Sequence, residues 1–181
     1  MTPVLETPRL RLRRLIAADF ADLVALDRDP EVMRYVGSPA GVRSAAETAE
    51  RARARIQEAE RGAQEPLGLW RVEDSADHVF HGLAALLRMP AGDDVELAYR
   101  LARAAWGRGI ATEAAGALAA HALRTLGLPR LVAVTYPENR ASQRVLDKLG
   151  FARHGLVEYK GVQTTFHVLT PEAWRARPPA R

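Results

Sequence analysis

The feature that most constrains this 181-residue chain is a glycine-rich turn that joins a predicted strand to a predicted long helix. Before the turn, apolar residues alternate with other residues, which is typical of a strand with one buried face; they are Val95, Leu97, Tyr99 and Leu101. The turn is Trp106-Gly107-Arg108-Gly109, and residues 110–126 then follow helical spacing up to Gly127. Two glycines in four residues leave the backbone open to close approach by a ligand.

The start of this helix predicts an anion-binding site. The first backbone amides of a helix have no partner within it and carry partial positive charge, so phosphate binds readily there. No Gly-Lys-Ser/Thr follows the turn, which excludes a Walker loop, and the spacing does not fit a dinucleotide fingerprint. The alternative interpretation is that Gly107 and Gly109 only form a tight turn.

The rest of the pattern predicts an α+β domain. Strands are predicted over 9–13, 67–72, 79–87, 95–101, 131–135, 151–158 and 162–169, and helices over 19–27, from Pro30, over 44–62, 110–126 and 139–149, and from Pro171. We therefore expect a mixed, mainly antiparallel sheet of about seven strands, flanked by about four to five helices. One domain is predicted over residues 1–176, with a disordered tail over 177–181.

Composition excludes several kinds of site. Without cysteine the chain has no disulfide, no thiolate zinc site and no catalytic thiol, which fits a reducing compartment. No apolar run approaches the roughly 18 residues of a membrane span, and residues 1–7 lack the basic and apolar regions of a signal peptide. We therefore expect a cytoplasmic protein without a membrane partner. The five histidines show no metal-ligand spacing, so we expect no metal site.

The net charge of +4 raises the question of a nucleic-acid partner. Of the 26 basic residues, 24 are arginines spread along the whole chain, and alanine is also abundant at 33 residues. This indicates coding bias rather than a phosphate-binding patch, so we do not expect nucleic acid as a partner. The alternative, a nucleic-acid-binding protein, rests on the positive charge alone. The arginine-rich stretch over residues 51–61 predicts a solvated helix face or, alternatively, a contact for an acidic partner.

Five segments, in order, resemble the GNAT N-acetyltransferases, and within them the RimJ/RimL-like branch. The turn through Ala111 is similar to the acetyl-CoA pyrophosphate loop of that family. The other segments are TPRLRLR (7–13), DPEVMRY (29–35), NRAS (139–142) running into KLGF (148–151), and LTPEAW (169–174). The resemblance covers roughly residues 7–175.

The resemblance implies a GNAT fold and an N-acetyltransferase that moves an acetyl group from acetyl-CoA to a primary amine by direct attack. The acceptor is either a protein or peptide α-amine or a small-molecule amine, and the protein is a monomer or homodimer. The alternative is a catalytically silent acyl-CoA-binding sensor or interaction module.

The resemblance also implies which residues bind acetyl-CoA: Leu101, Ala102, Arg103, Gly107, Arg108, Gly109, Ile110, Ala111, Thr112, Asn139 and Ser142. Asn139 and Ser142 are one helical turn apart and so face the same side. The resemblance gives Asn139 a hydrogen bond to the pantetheine arm and aims Ser142 at the sulfur. The alternatives are a plain helix N-cap at Asn139 and an exposed helical serine at Ser142.

The sequence departs from the family at Leu146, where many GNAT enzymes carry a tyrosine that acts as general acid. Some other group must then protonate the departing thiolate, and Ser142 is the candidate.

Glu96 is the candidate general base. It lies out of phase with the apolar residues of its strand and therefore on the other face. The alternatives are a solvated Glu96 or one paired with Arg100, in which case Glu158, Tyr159 or His167 can supply the base. Glu113, one turn into the long helix, is interpreted as favouring the helix dipole.

Overall fold

An eight-stranded sheet forms the centre of the molecule. The computed structural model describes residues 4–36, 44–62 and 65–177. The strands are β1 Leu5–Glu6, β2 Leu10–Arg14, β3 Gly68–Asp74, β4 Phe80–Arg88, β5 Val95–Leu101, β6 Leu131–Thr135, β7 Ala152–Tyr159 and β8 Val162–Leu169. The α-helices are α1 Phe20–Arg28, α2 Pro30–Met33, α3 Ala45–Arg61, α4 Ile110–Ala120, α5 Arg140–Leu149 and α6 Pro171–Ala176.

The strand order is β1-β2-β3-β4-β5-β6-β8-β7, and the neighbouring strands are antiparallel except for the parallel pair β5 and β6. A parallel pair needs a crossover connection, and α4 supplies it between β5 and β6. The one parallel pair therefore lies next to the glycine turn, because that turn begins the crossover.

Strand alternation sends apolar side chains to both faces of the sheet. One core packs the sheet against α4 and α5, with Leu12, Trp70 and Leu118 fully buried. A second core packs the other face against α1 and α3, around Leu23 and Ile56. Helices therefore pack against both faces of the sheet.

The helix ends follow the signals in the sequence. Ser44 forms a capping box with Glu47 at the start of α3, and Thr170 accepts from the Ala173 amide at the start of α6. Gly150 ends α5 in the left-handed conformation, with φ +88°. Each side-chain cap stabilises its helix by about 1 kcal/mol.

The predicted fold class is confirmed, with two differences in individual elements and with six α-helices where about four to five were expected. The short strand β1 was not predicted, because two residues carry no periodic signal. The helix predicted over 110–126 is α4 followed by a π-helical turn over His121–Thr125, where the Leu126 amide bonds to the carbonyl of His121. The predicted tail lies, beyond Arg177, outside the described residues.

Candidate active site

A wedge opens in the sheet where β5 and β6 separate. In the described part of the chain these parallel strands pair at one position, Glu96 opposite Val132. Beyond it, β5 continues toward the glycine turn, whereas β6 stays paired with β8 as far as Thr135 opposite Thr165. The carboxyl ends of the two strands therefore diverge and expose groups that a continuous sheet would cover.

A cavity of about 430 Å³ includes this wedge, a size typical of small-molecule sites. Its walls come from β4, β5 and β6, from α3 and the start of α5, and from the turn between β7 and β8. Polar side chains on these walls include Glu96, Tyr99, Asn139, Ser142, Tyr159 and Lys160.

Glu96 is a buried carboxyl group on the cavity wall. It is 7% exposed, and its Oε2 accepts a hydrogen bond from the Tyr159 hydroxyl at 2.7 Å. Burial raises the pKa of Glu96, although the Tyr159 hydrogen bond and the positive charge of Lys160 oppose this rise. A carboxylate with a raised pKa is a better proton acceptor near neutral pH.

The surroundings of Glu96 contradict the expectation of a solvated side chain. Arg100, the suggested partner on the same strand, forms an ion pair with Asp27 at 3.0 Å. Asp27 also pairs with Arg55 of α3, so this buried carboxylate joins α1, α3 and β5. The Tyr159 hydroxyl is the group that bonds to Glu96.

Asn139 and Ser142 both line the cavity, as their helical spacing predicts. The Asn139 side chain accepts the Ser142 backbone amide at 3.1 Å, so Asn139 is the N-cap of α5. The Ser142 hydroxyl is not exposed alone on a helix surface, because it lies 2.8 Å from the Tyr99 hydroxyl. Burial raises the pKa of Tyr99, which keeps its phenol protonated at neutral pH.

The glycine turn lies outside the cavity wall, at the N-terminus of α4. Gly107 and Gly109 have φ of +72° and +79°, in the left-handed region that favours glycine. A Cβ at Gly107 would meet nothing within 4 Å, and one at Gly109 would meet only a guanidinium nitrogen of Arg9, at 3.3 Å. The Glu113 amide is bonded to the Gly109 carbonyl, so the amides of residues 110–112 precede the helical ladder.

The residues before the turn hold it in place. The Trp106 indole donates to the Leu101 carbonyl at 2.8 Å, and the Ala102 amide donates to the carbonyl of His81 at 2.9 Å. Leu101 itself is buried, while Arg103 pairs with Asp29 at 2.8 Å. These contacts anchor the residues that lead into the turn to β4, β5 and the start of α2.

The N-terminal segment also contacts the turn and the first turn of α4. Glu113 Oε1 accepts the Thr7 hydroxyl at 2.6 Å and the Arg9 amide at 3.0 Å, while Glu113 Oε2 accepts the Arg9 guanidinium at 2.7 Å. Arg9 also donates to the Arg108 carbonyl at 3.0 Å. Although burial opposes it, these hydrogen bonds lower the pKa of Glu113. We call Thr7, Arg9 and Glu113 the N-terminal clamp.

Residues 9–152 match the family of GNAT acetyltransferase domains. The chain belongs to the GNAT acetyltransferase family. It is 32% identical over 164 residues to the uncharacterized N-acetyltransferase YoaA of Bacillus subtilis (strain 168), with 87% of each chain covered. These matches identify the protein as an acyltransferase.

Solved structures share the GNAT fold. An acetyltransferase from Agrobacterium tumefaciens strain C58 superposes with a TM-score of 0.78 at 26% identity, covering 93% of this chain and 95% of the other. The RimL ribosomal-protein α-N-acetyltransferase in complex with coenzyme A has a TM-score of 0.75 at 20% identity, covering 94% and 99%. The second likeness shows the fold alone.

The GNAT structure brings Glu96, Asn139 and Ser142 to one cavity and places the predicted loop residues at a separate surface. Among the suggested alternative bases, Tyr159 reaches Glu96. His167 is 2% exposed and lies 3.2 Å from the Thr135 hydroxyl, and burial lowers its pKa. Neither His167 nor Glu158 lines the cavity.

Three site residues, Tyr99, Arg9 and Lys160, escaped the sequence analysis. Tyr99 was counted with the apolar residues of its strand, although a buried tyrosine hydroxyl usually needs a hydrogen-bonding partner. Arg9 was noted only within a motif, and nothing local indicates that it contacts Glu113.

Two kinds of feature are absent from the part of the chain that the structure describes. Across residues 4–36, 44–62 and 65–177, no cluster of three potential metal-ligating His, Asp or Glu side chains occurs. Over the same ranges, no helix combines the length and apolar character needed to cross a bilayer.

Proposed function

We propose that this acyltransferase moves an acetyl group from acetyl-CoA to a primary amine, without a covalent enzyme intermediate. The observation that carries the proposal is a buried carboxyl group, Glu96, placed where β5 and β6 separate and hydrogen-bonded to Tyr159. An amine that enters this wedge meets a proton acceptor, Glu96, and the Ser142 hydroxyl of α5, which lines the same cavity.

The residues present fit acetyl-CoA as the acetyl donor. The open, left-handed turn over Gly107–Gly109 and the amides of 110–112 suit its pyrophosphate, with Arg108 nearby and Leu101, Ala102 and Arg103 supporting the turn. Hydrogen bonds to charged groups contribute about 1.5–3 kcal/mol each, so a few such amides would hold the phosphates firmly. Asn139 and Ser142 suit the pantetheine arm. When bound, acetyl-CoA supplies an activated thioester.

Glu96 prepares the acceptor. Most primary amines are protonated at neutral pH and do not attack in that state. The Glu96 carboxylate takes one proton from the ammonium, and the neutral nitrogen then attacks the thioester carbonyl to form the new N–C bond. The C–S bond breaks as the nitrogen loses its second proton. Tyr159 holds the carboxylate in place through its 2.7 Å hydrogen bond.

Ser142 and Tyr99 supply the proton at the other end. The Ser142 hydroxyl can donate a proton to the departing thiolate, and the Tyr99 hydroxyl, 2.8 Å away, can relay to Ser142 the second proton that the acylated nitrogen loses. This pair compensates for Leu146, which is 1% exposed and occupies the position of the family tyrosine.

Two acceptor classes fit this reaction. The five sequence segments of the RimJ/RimL-like branch favour a protein or peptide α-amine, and the name of the RimL neighbour agrees. The bounded cavity of about 430 Å³ favours a small-molecule amine.

A panel of peptides and small amines, assayed for thiol release from acetyl-CoA, tests the proposal. Steady release that depends on the amine supports an enzyme. Tight binding of acetyl-CoA by calorimetry without release from any acceptor would instead support an acyl-CoA sensor, the alternative that the missing tyrosine at Leu146 raises. A salt-sensitive mobility shift with duplex DNA would point to nucleic acid.

A further inference from the structure

The acceptor cavity is lined by charges of both signs. Its lining holds Arg51, Arg55, Arg100 and Lys160 as cations and Glu58 and Glu96 as carboxylates. Asp27, with 3% of its side chain exposed, pairs with Arg55 and Arg100. An acceptor that carries both an ammonium and an anionic group can pair with both signs of charge.

Lys160 lies beside the proposed base. Its Nζ is 4.8 Å from the centre of the Tyr159 ring, and the hydroxyl of the same ring bonds to Glu96. One phenol side chain thus separates a cation from a carboxylate. An ammonium and a carboxylate in one small molecule can each approach a partner of opposite charge to a hydrogen-bond distance of about 2.8 Å.

The turn between β7 and β8 places the backbone of Lys160 at the cavity wall, where the residue is exposed. Tyr159 pairs with Val162, so Lys160 and Gly161 form a two-residue turn between β7 and β8. Both have positive φ, +52° and +78°, as a type I′ turn requires. Asparagine and glycine are the usual residues in such turns, and a lysine with positive φ is uncommon. Its presence in a turn at the cavity wall suggests a role for its charge.

We propose that the acceptor is an amino-acid-like zwitterion, whose ammonium faces Glu96 and whose carboxylate faces Lys160. The inference rests on the proposed acetyl transfer and narrows its acceptor. A peptide N-terminus lacks this carboxylate, because the carboxyl group next to its α-amine is part of an amide bond. The geometry therefore favours a free amino acid or a close analogue over a peptide.

Matched acceptors test the inference. Each set contains a free amino acid, its primary amide and the amine left after removal of the carboxyl group, assayed for thiol release at saturating acetyl-CoA. For the unmodified protein we expect kcat/KM to be at least tenfold higher for the best free amino acid than for its amide or amine. Lys160→Asn should remove this preference by lowering kcat/KM for the free amino acid toward the values of its amide and amine, because asparagine accepts a positive φ and carries no charge.

Lys148→Gln is the matched control, because Lys148 is the other lysine of the chain and lies exposed on α5 outside the cavity wall. The preference should survive this change. Equal rates for acid and amide, faster acetylation of peptides, or an unchanged preference in Lys160→Asn would overturn the inference while acetyl transfer stands. No release from any acceptor, with acetyl-CoA still bound, would overturn the proposed function and the inference together.

Discussion

The glycine turn and the acceptor cavity are built in opposite ways. The turn is a run of consecutive residues whose useful groups are backbone amides and whose glycines adopt positive φ. The cavity collects side chains from β5, α5 and the β7–β8 turn, with Glu96 and Tyr159 separated by 63 residues along the chain. A site made of backbone is encoded locally, whereas a site made of side chains depends on how distant elements pack.

This difference predicts a division of labour. Substitutions in the turn should weaken acetyl-CoA binding and leave turnover at saturation nearly unchanged. Substitutions at Glu96 should lower turnover and leave acetyl-CoA binding nearly unchanged, because the pantetheine contacts in the cavity are assigned to Asn139 and Ser142. Each variant below tests one side of that division.

The largest effect is expected for Glu96→Gln. Removal of a general base costs roughly 10²-fold or more in turnover, and the dissociation constant for acetyl-CoA should stay the same because no contact to it is assigned to Glu96. Glu58→Gln, which removes an exposed carboxylate from the same cavity, is the control and should retain most of the activity. Turnover within about threefold of the unmodified protein would make Glu96 a structural residue.

Glu96 also fixes the sign of the pH dependence. The base must be ionised to act, and burial raises the pKa of Glu96. Activity should therefore be lost, as pH falls, at a higher pH than an ordinary glutamate would give. In Glu96→Gln the inflection due to Glu96 should disappear, so that the rate follows the amount of free amine, and the deficit should shrink at high pH, where free amine is abundant.

Gly109→Val should have the next largest effect. A branched side chain at φ +79° strains the turn and obstructs the surface above the first amides of α4. We expect calorimetry to show at least tenfold weaker acetyl-CoA binding, about 1.4 kcal/mol, with turnover at saturation largely kept. Gly92→Val is a matched control, because Gly92 has the same φ of +79°, lies between β4 and β5, and would place its Cβ in open space with nothing within 4 Å. If a folded Gly109→Val protein bound acetyl-CoA with unchanged affinity, the turn would not be the binding site of the phosphates.

Ser142→Ala and Tyr99→Phe should lower turnover by a smaller factor. Loss of one hydrogen-bonded donor costs about 1 kcal/mol, roughly fivefold in rate. If the two hydroxyls act as one relay, the double variant should be no slower than the slower single variant. Fully multiplicative losses in kcat would show that the hydroxyls act independently.

The sequence predicted the parts of the site that depend on local pattern. Strand alternation placed Glu96 opposite its apolar neighbours, and helical spacing placed Asn139 with Ser142. The same alternation led us to count Tyr99 with the apolar residues, because it assigns a side chain to a face of the sheet but does not indicate which group its hydroxyl contacts. The bond between Tyr99 and Ser142 exists because β5 and α5 meet beside the wedge, which is a property of the sheet order.

The N-terminal clamp was beyond local pattern for the same reason. Arg9 and Glu113 are 104 residues apart, and their contact arises because the chain entering β2 passes beside the start of α4. Glu113 was expected to favour the helix dipole, and its position one turn into α4 allows that. Its hydrogen bonds to Thr7 and Arg9 give it a second role as the anchor of the clamp.

The smallest expected effect tests whether the clamp positions the turn. The Arg9 side chain is half exposed, so its ion pair with Glu113 contributes at most about 1 kcal/mol. We expect Arg9→Gln and Glu113→Gln each to weaken acetyl-CoA binding by roughly threefold, because either change releases the Arg108 carbonyl and loosens the turn. A direct attraction between Arg9 and the phosphates would give a different pattern, in which Arg9→Gln weakens binding while Glu113→Gln, by releasing the guanidinium, tightens it. Calorimetry on the two variants distinguishes these cases, and a tighter Glu113→Gln complex would mean that the turn is positioned without the clamp.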